Sequence, residues 1–488
     1  MTSGTTTYLA VDLGAESGRV FRARLNGGRL SLEEVHRFPN VPVRLPDGLY
    51  WDALHLLQEV ERGLAAAGGN PASIGVDSWA VDFGLLAGGR LLSSPRHYRD
   101  PYTDGTVEEA CRRVPKEEIY RTTGIQFLQI NTLCQLLALE GSPLMEAAET
   151  LLMIPDLMNY WLCGETACEE TNASTTQLYD PSKRSWARGL MERLGISERI
   201  FPDLVPPATT LGRLLPHVRE ETGLGEVPVV TVASHDTASA VAAVPAETES
   251  FAYVSSGTWS LVGVELPSPV MSEEAMEANF TNEAGFGGRA RFLKNVMGLW
   301  LLQECRREWA RRGKVYSYEE LCRLAGEAPP GGALVDPDDP LFLTPGDMTG
   351  RIERFCAKSG QKPPEGVGEV CRCIFESLAL KQALVIEEAA GITGRDLEVV
   401  HVVGGGSQNE LLCRMTAETS GLPVVSGPVE ATAAGNALVQ AYAAGEVESL
   451  ARMREVVARS FGLRLYEPQE PERWHALKER FVKIANRR

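Results

Sequence analysis

Five short stretches carry side chains whose type and spacing suit chemistry on a small polar ligand. In Pro228–Val244, PVVTVASHDTASAVAAV, a β-branched run ends at Ala233-Ser234, and His235, Asp236 and Thr237 precede a run of Ala, Ser and Val. That order places Asp236 at the carboxyl end of a buried strand, where open α/β sheets hold their ligands. The small residues behind it admit close approach to a helix start, whose unpaired N–H groups favour an anion. Near the beginning, Tyr8–Asp12 runs into Gly14-Ala15-Glu16-Ser17-Gly18 and then Arg19. A Gly-rich turn between strands presents successive N–H groups as an anion nest, and the lack of Gly-Lys-Ser/Thr excludes a Walker loop. Phe251–Ser255, the turn Ser256-Gly257-Thr258 and Trp259–Val264 repeat that construction near mid-chain. Val399–Val403 meets Gly404-Gly405-Gly406, which lets a flat ring or a phosphate approach the backbone. Its contiguous glycines and missing acidic partner separate it from the dinucleotide-binding fingerprint. Trp79 and Asp82, in Ser73–Leu86, offer an aromatic face and a carboxylate, which suit a polyol.

These groups need elements to hold them, and the pattern supplies them. Arg19–Leu25 alternates as the second strand of a hairpin, and Ser73–Leu86 reads as one further strand with its functional residues at the tip. A hairpin of small turn residues in each half is the trace of a duplicated fold. The boundary falls near Val244–Glu249, dividing the chain into domains 1–243 and 244–488. Glu108–Val114, Lys116–Thr123 and Asn131–Leu139 read as short helices, and Pro143–Leu162 as a longer one interrupted at Pro155. Thr171–Gln177 is a hydroxyl-rich loop with no separate chemistry. Arg291–Arg306 turns from strand to helix and holds Asn295 and Gln303, while Val370–Ala389 and Gly427–Gly445 are helical. Ser407 and Glu410 make a capping box for the helix closed by Gly421.

Composition narrows the classes of partner. A chain of 488 residues is too long for one ordinary core and implies two domains. The net charge of −17 argues against nucleic acid and against an anionic membrane. No apolar run is long enough to span a bilayer and no signal peptide opens the chain, so a cytoplasmic location is expected. The ten cysteines are scattered without zinc-ligand spacing, as buried free thiols would be.

Asp12-Leu13-Gly14, Ser234-His235-Asp236-Thr237-Ala238, Ser255–Trp259 and Gly404-Gly405-Gly406 together resemble the FGGY carbohydrate kinases of the actin-like ATPase fold. VDLGAESGRV, VDSWAVDFGLL, GIQFLQINTL, TNASTTQL, ASHDTASAV, SSGTWSLVG, LKNVMGLWLLQ and VVGGGSQN are similar to members that phosphorylate L-rhamnulose, and they spread from residue 11 to residue 409. The resemblance implies an α/β fold of two duplicated actin-like (ribonuclease H-like) domains with the active site in the cleft between them. It implies ATP and Mg2+ as cofactors, a sugar as the partner, phosphorylation at C1, and a monomer or small homo-oligomer. Asp236 would be the general base; His235, Thr237 and Asn295, with Ala80 and Asp82, would meet the sugar. Ala15, Glu16, Ser17, Gly18, Arg19 and Thr258 would hold phosphates, Gln303 and Gly405 would lie along the nucleotide, and Asp12 would orient the metal through water. The competing readings are a family member acting on fuculose, xylulose, ribulose or glycerol, and an actin-like ATPase without kinase activity.

Two positions depart from the family pattern. Glu16 replaces a Ser in the phosphate turn, so its side chain must point outward, and Ala80 replaces a Gly beside the sugar. Family members also carry cysteines where Cys356 and Cys373 stand, and whether the two are bonded stays open.

Overall fold

A computed structural model describes residues 4–485 and resolves the chain into two compact units. The first comprises Met1–Glu247, Glu265–Phe292 and Ala431–Phe461; the second comprises Thr248–Val264, Leu293–Glu430 and Gly462–Arg488. Among the described residues no helix is long and apolar enough to cross a membrane.

The first unit is built on a six-stranded sheet. Its strands are β1 (Thr6–Leu13), β2 (Ser17–Asn26), β3 (Arg29–Pro39), β4 (Ser73–Ser78), β5 (Thr210–Arg213) and β6 (Pro228–Val230), in the order β5-β6-β4-β1-β2-β3. β1 pairs antiparallel with β2 and parallel with β4, so that Asp12 stands opposite Arg19 on one side and Asp77 on the other. β1 and β4 are buried almost throughout, as strands covered on both faces must be. The helix Ala53–Ala67 covers one face, where a side chain at Gly63 would collide with Val20. The helix Ala431–Ala443 reaches the backbone of β1 and β4 through Gln440 Nε2 to the Leu9 carbonyl (3.0 Å) and Asn436 Nδ2 to the Gly75 carbonyl (3.2 Å).

The second unit repeats the motif. β7 (Phe251–Ser256) and β8 (Trp259–Leu266) form a hairpin, and β9 (Val399–Val403) runs parallel to β7 as β4 runs parallel to β1. β10 (Val424–Ser426) and β11 (Arg464–Tyr466) extend the order to β8-β7-β9-β10-β11. The helix Gly366–Thr393 supplies Ile374, Phe375, Leu378 and Ala379 to a core shared with Trp300, Leu301 and Phe342. A hairpin followed by a parallel strand in each unit is the duplication expected from the sequence.

Several local expectations give way. Ser73–Leu86 is two strands, Ser73–Ser78 and Phe83–Ala87, because Val81 adopts φ 68° and turns the chain. Pro143–Leu162 is not one helix: Pro143–Ala147, a strand Thr150–Met153 and the helix Ile154–Cys163 follow in turn. Pro155 opens that last helix, where its missing N–H costs nothing. Ser407 does not cap the helix Glu410–Ser420. Its hydroxyl donates to the Gly404 carbonyl within the tight turn Gly405–Gln408, and Asn409 accepts the Leu412 N–H instead.

Candidate active site

In the first unit, three neighbouring parallel strands end at one edge of the sheet, and their tips carry acids. Asp12 is the penultimate residue of β1, Asp77 lies beside it near the end of β4, and Ser78 bridges to His235 just past β6. The Ser78 N–H donates to the Ser234 carbonyl at 2.9 Å, and the Trp79 N–H to that of Leu13 at 3.2 Å. Arg19 Nη2 lies 2.5 Å from Asp12 Oδ2, an ion pair set by their opposition in the β1–β2 hairpin. Asp77 is fully buried. Burial, then the charge of Asp12, push its carboxyl well above the usual range; Asn436 opposes this by donating to its Oδ2 at 2.6 Å, and the charge of Asp236 adds to the rise. Asp77 was not singled out from sequence, although VDS ends β4 much as VDLG ends β1.

Asp236 opens the short helix Asp236–Ala242 and keeps about a quarter of its side chain exposed. Its Oδ1 accepts the Thr237 N–H at 2.5 Å and the Thr237 hydroxyl at 3.1 Å, and His235 Nε2 lies 3.4 Å away. Among the described residues none donates to Oδ2. One oxygen is therefore anchored and the other is open. That is the arrangement a general base needs, since only an accessible lone pair can receive a proton.

The segment TNASTTQ, silent in sequence, anchors this strand tip. It folds into two buried helical turns, Glu170–Ala173 and Ser174–Thr176. Glu169, just before it, accepts from the Ser234 N–H at 3.0 Å and the Ser234 hydroxyl at 2.6 Å, and from the Thr171 hydroxyl at 2.6 Å. The His235 N–H donates to Thr171 Oγ1 at 3.2 Å. Burial raises the Glu169 carboxyl, and these donors pull it back. A buried Glu announces itself only by its partners, which sequence does not display.

Asp82 is set differently from Asp236. It is buried in a cage where Oδ2 accepts from Trp51 Nε1 (2.5 Å), Trp79 Nε1 (3.0 Å) and the Tyr98 N–H (3.3 Å), and Oδ1 from Gln135 Nε2 (2.8 Å). Burial pushes its carboxyl up to about 7 against the pull of those four donors. Among the described residues it bonds none of His235, Asp236 or Thr237. Trp51 stacks on His97 at 4.0 Å between ring centroids. The left-handed Val81 is costly for a β-branched residue, and its carbonyl is tied down by Thr132 Oγ1 (2.7 Å) and Gln135 Nε2 (3.2 Å). Ala80 sits on this turn, half-buried.

The Gly14–Gly18 turn is closed by the Gly14 N–H to the Ser17 carbonyl (3.0 Å). Asn40 braces it, donating from its backbone to the Glu16 carbonyl (2.9 Å) and from Nδ2 to the Gly14 carbonyl (3.0 Å). Ala15, Glu16 and Ser17 stay partly exposed, so the turn is accessible from solvent.

In the second unit the β7–β8 turn is clamped by the start of the helix Trp300–Arg311. The Gly298 and Trp300 N–H groups donate to the Thr258 carbonyl (3.1 and 3.2 Å), and the Leu299 N–H to that of Gly257 (2.9 Å). A Cβ on Gly298 would stand 2.7 Å from the Gly257 carbonyl oxygen, so only glycine permits this approach. Gln303 lies one turn along that helix, and Asn295 precedes the clamp on the strand Ala290–Met297. The triple-Gly turn rests on the same hairpin: Gly404 has φ 83°, and a Cβ on Gly406 would meet Ser256 Oγ at 2.0 Å. Gly405 is exposed, and a Cβ there would meet nothing within 4 Å. Thr258 thus lies in that turn and Gly405 in the turn resting on it, while Gln303 stands further along the clamping helix.

Asp12 Oδ2 is paired with Arg19 Nη2 at 2.5 Å, so a divalent ion beside it would be held through water. Among the described residues no group of three or more His, Cys, Asp and Glu side chains forms a metal cage. Magnesium needs none, because it binds through one or two carboxylates, waters and substrate phosphates. The ten cysteines are free thiols, and Cys356 and Cys373 face each other unbonded in the second unit.

Known proteins sharpen this picture. The family model described as FGGY family of carbohydrate kinases, N-terminal domain, matches residues 51–243, and the corresponding C-terminal domain matches residues 252–444. A rhamnulokinase of Bacteroides thetaiotaomicron is 44% identical over 96% of this chain and 97% of its own. A rhamnulokinase of Oceanobacillus iheyensis is 42% identical over 94% and 97%. In structure the chain is similar to xylulose kinase from Lactobacillus acidophilus, with a TM-score of 0.80 at 15% identity over 99% and 98% of the two chains. Two matched domains and near full-length relatives establish that the chain belongs to the FGGY family of carbohydrate kinases.

Proposed function

We propose that the protein transfers the γ-phosphoryl group of ATP to the C1 hydroxyl of L-rhamnulose, giving L-rhamnulose 1-phosphate and ADP. The reading rests on one observation above all: Asp236 holds one carboxylate oxygen anchored and the other open, at the acid-bearing edge of a sheet. That both of these relatives are rhamnulokinases supports the choice of sugar.

Asp236 accepts the proton that leaves the C1 oxygen as the new P–O bond forms and the bond to ADP breaks. His235, Thr237, Asn295, Ala80 and Asp82 shape the sugar subsite, with Asp82 acting through the aromatic cage. N–H groups of Ala15, Glu16, Ser17 and Gly18, with Arg19 and Thr258, hold the phosphates, and Gln303 and Gly405 border the nucleotide. Residues 1–243 then carry the base and most of the sugar and phosphate contacts, and residues 244–488 bind the nucleotide and add Asn295 and Thr258. Asp12 would hold Mg2+ through water, and the ion would neutralise charge on the phosphates. The protein's own part is positioning and charge stabilisation, which is most of what phosphoryl transfer asks.

A sugar panel with ADP release as readout tests the proposal. L-Rhamnulose should give the highest kcat/KM. A sugar with hydroxyls inverted at the buried contacts loses about 1–3 kcal/mol per unpaired group, roughly ten- to a hundredfold. Ala80→Gly, which removes a methyl beside the sugar, should widen the range accepted. L-Fuculose or D-xylulose outperforming L-rhamnulose would overturn the choice of sugar, and no sugar-dependent ADP at all would overturn the kinase reading.

A further inference from the structure

His235 is pinned from behind by a buried ion pair that the reaction as described does not use. Arg291, fully buried, places Nη2 at 3.0 Å from His235 Nδ1 and at 3.1 Å from Glu283 Oε2. Its Nε donates to the Ala284 carbonyl at 3.0 Å, which fixes the plane of the guanidinium. Glu283 Oε2 lies 3.2 Å from the same His235 Nδ1. On the other side of the ring, His235 Nε2 faces Asp236 Oδ1 at 3.4 Å.

Two groups thus compete for Nδ1, and they demand opposite things of it. A carboxylate can only accept, so Glu283 would draw a proton onto Nδ1. A guanidinium can only donate, so Arg291 requires Nδ1 to be a bare acceptor. Arg291 is the closer of the two, and it occupies Glu283 at the same time. With Nδ1 accepting, the ring proton sits on Nε2, where it faces Asp236 Oδ1 as a donor. The opposite tautomer would set an imidazole lone pair against a carboxylate lone pair.

We propose that Arg291 is a positioning residue: by donating to His235 Nδ1 it keeps the imidazole proton on Nε2, toward Asp236 Oδ1, and leaves Oδ2 as the oxygen that takes the substrate proton. The proposal deepens the kinase reading of Asp236 and rests on it for the last clause. Glu283 serves by holding the Arg291 charge in a buried place, where an unpaired guanidinium would be costly. The arrangement follows the general rule that the partner on one imidazole nitrogen decides what the other can do.

The test reads the tautomer directly. Protein carrying 15N-histidine, without substrate and at pH 8, gives a long-range 1H–15N correlation for each imidazole, and His235→Gln assigns the His235 pattern by its loss. Wild-type protein should show a bare Nδ1 and a protonated Nε2. Arg291→Met should move the proton to Nδ1 and lower kcat on the order of 10–100-fold with KM for ATP unchanged. Arg291→Lys, which keeps a donor, should restore the wild-type pattern and most of the turnover, and Glu283→Gln should leave the proton on Nε2. A proton on Nδ1 in the wild-type protein would overturn the proposal, as would an unchanged pattern in Arg291→Met. If Arg291→Met does not fold, the wild-type and Glu283→Gln spectra decide. Because the spectrum is recorded without sugar, a wrong tautomer sinks the role of Arg291, while the kinase reading stands or falls by ADP release.

Discussion

Gly435→Ala should cripple catalysis without touching any group that meets substrate. Gly435 lies in the helix Ala431–Ala443 where it crosses the helix Asp236–Ala242. A Cβ there would stand 1.8 Å from the Ser239 carbonyl oxygen, 2.6 Å from its carbon and 3.1 Å from its Cα. Ordinary contact begins near 3.4 Å, and backbone cannot rotate aside as a side chain can. One helix must therefore back away by about 1.5 Å to reach a normal separation. Ser239 is less than one turn from Asp236, so the shift is passed to the carboxylate. Overpacking of this kind costs about 1–3 kcal/mol of stability, and misplacing a reacting group by about 1 Å costs on the order of 100-fold in rate. Sugar-dependent ADP release and a thermal melt measure the two effects. Gly391→Ala is the control: a Cβ there meets nothing within 4 Å, and the change should be neutral or slightly stabilising. Turnover of Gly435→Ala within threefold of wild type, with an unchanged melting temperature, would refute the packing argument.

Asp236→Asn should lower kcat by about 100–10,000-fold, since an amide of the same size cannot accept the proton. Nucleotide affinity, followed by titration, should hold steady; a variant retaining more than about a tenth of wild-type turnover would remove Asp236 from the role of base. Asp82 predicts a pH dependence of stability. Its carboxyl is raised to about 7 from 3.8, so its contribution is fully present below about pH 4 and is lost as pH rises through about 7. Between pH 5 and pH 8 the wild-type protein should lose about 2–3 kcal/mol more than Asp82→Asn in urea unfolding, and equal losses would contradict the assignment.

What sequence made legible is what short-range pattern encodes. Asp12 and Asp236 each follow an apolar run and precede small residues, so their place at strand tips could be read directly. The glycines of the β1–β2 turn and at 404–406 marked close approaches for the same reason. Glu169, Arg291 and Asp77 were not legible, because their roles lie in partners far along the chain: Ser234, His235 and Asn436 respectively. The misplaced cap shows a different limit. Ser407 and Asn409 are both good cappers two residues apart, and the tight turn at Gly405 decided between them. Val81 marks a third limit. Nothing in AVDF announces a left-handed β-branched residue, yet it splits the expected strand and turns Asp82 into its cage.

The sheet of the first unit takes its strands from the early part of the chain, but one of its faces is finished by Ala431–Ala443. That helix brings Asn436 to Asp77 and Gln440 to the Ser73 hydroxyl (2.7 Å), pairing polar groups that would otherwise be buried bare. On the ribosome, then, the N-terminal strands emerge long before their cover does. An arrested chain that ends before the helix has Asp77 and Ser73 without partners and an apolar face open to water, so it cannot close into a stable body. The edge that carries Asp236 is consequently completed last, after the β7–β8 hairpin and the triple-Gly turn have been synthesised. Until then the open apolar face leaves the nascent chain prone to associate with others of its kind.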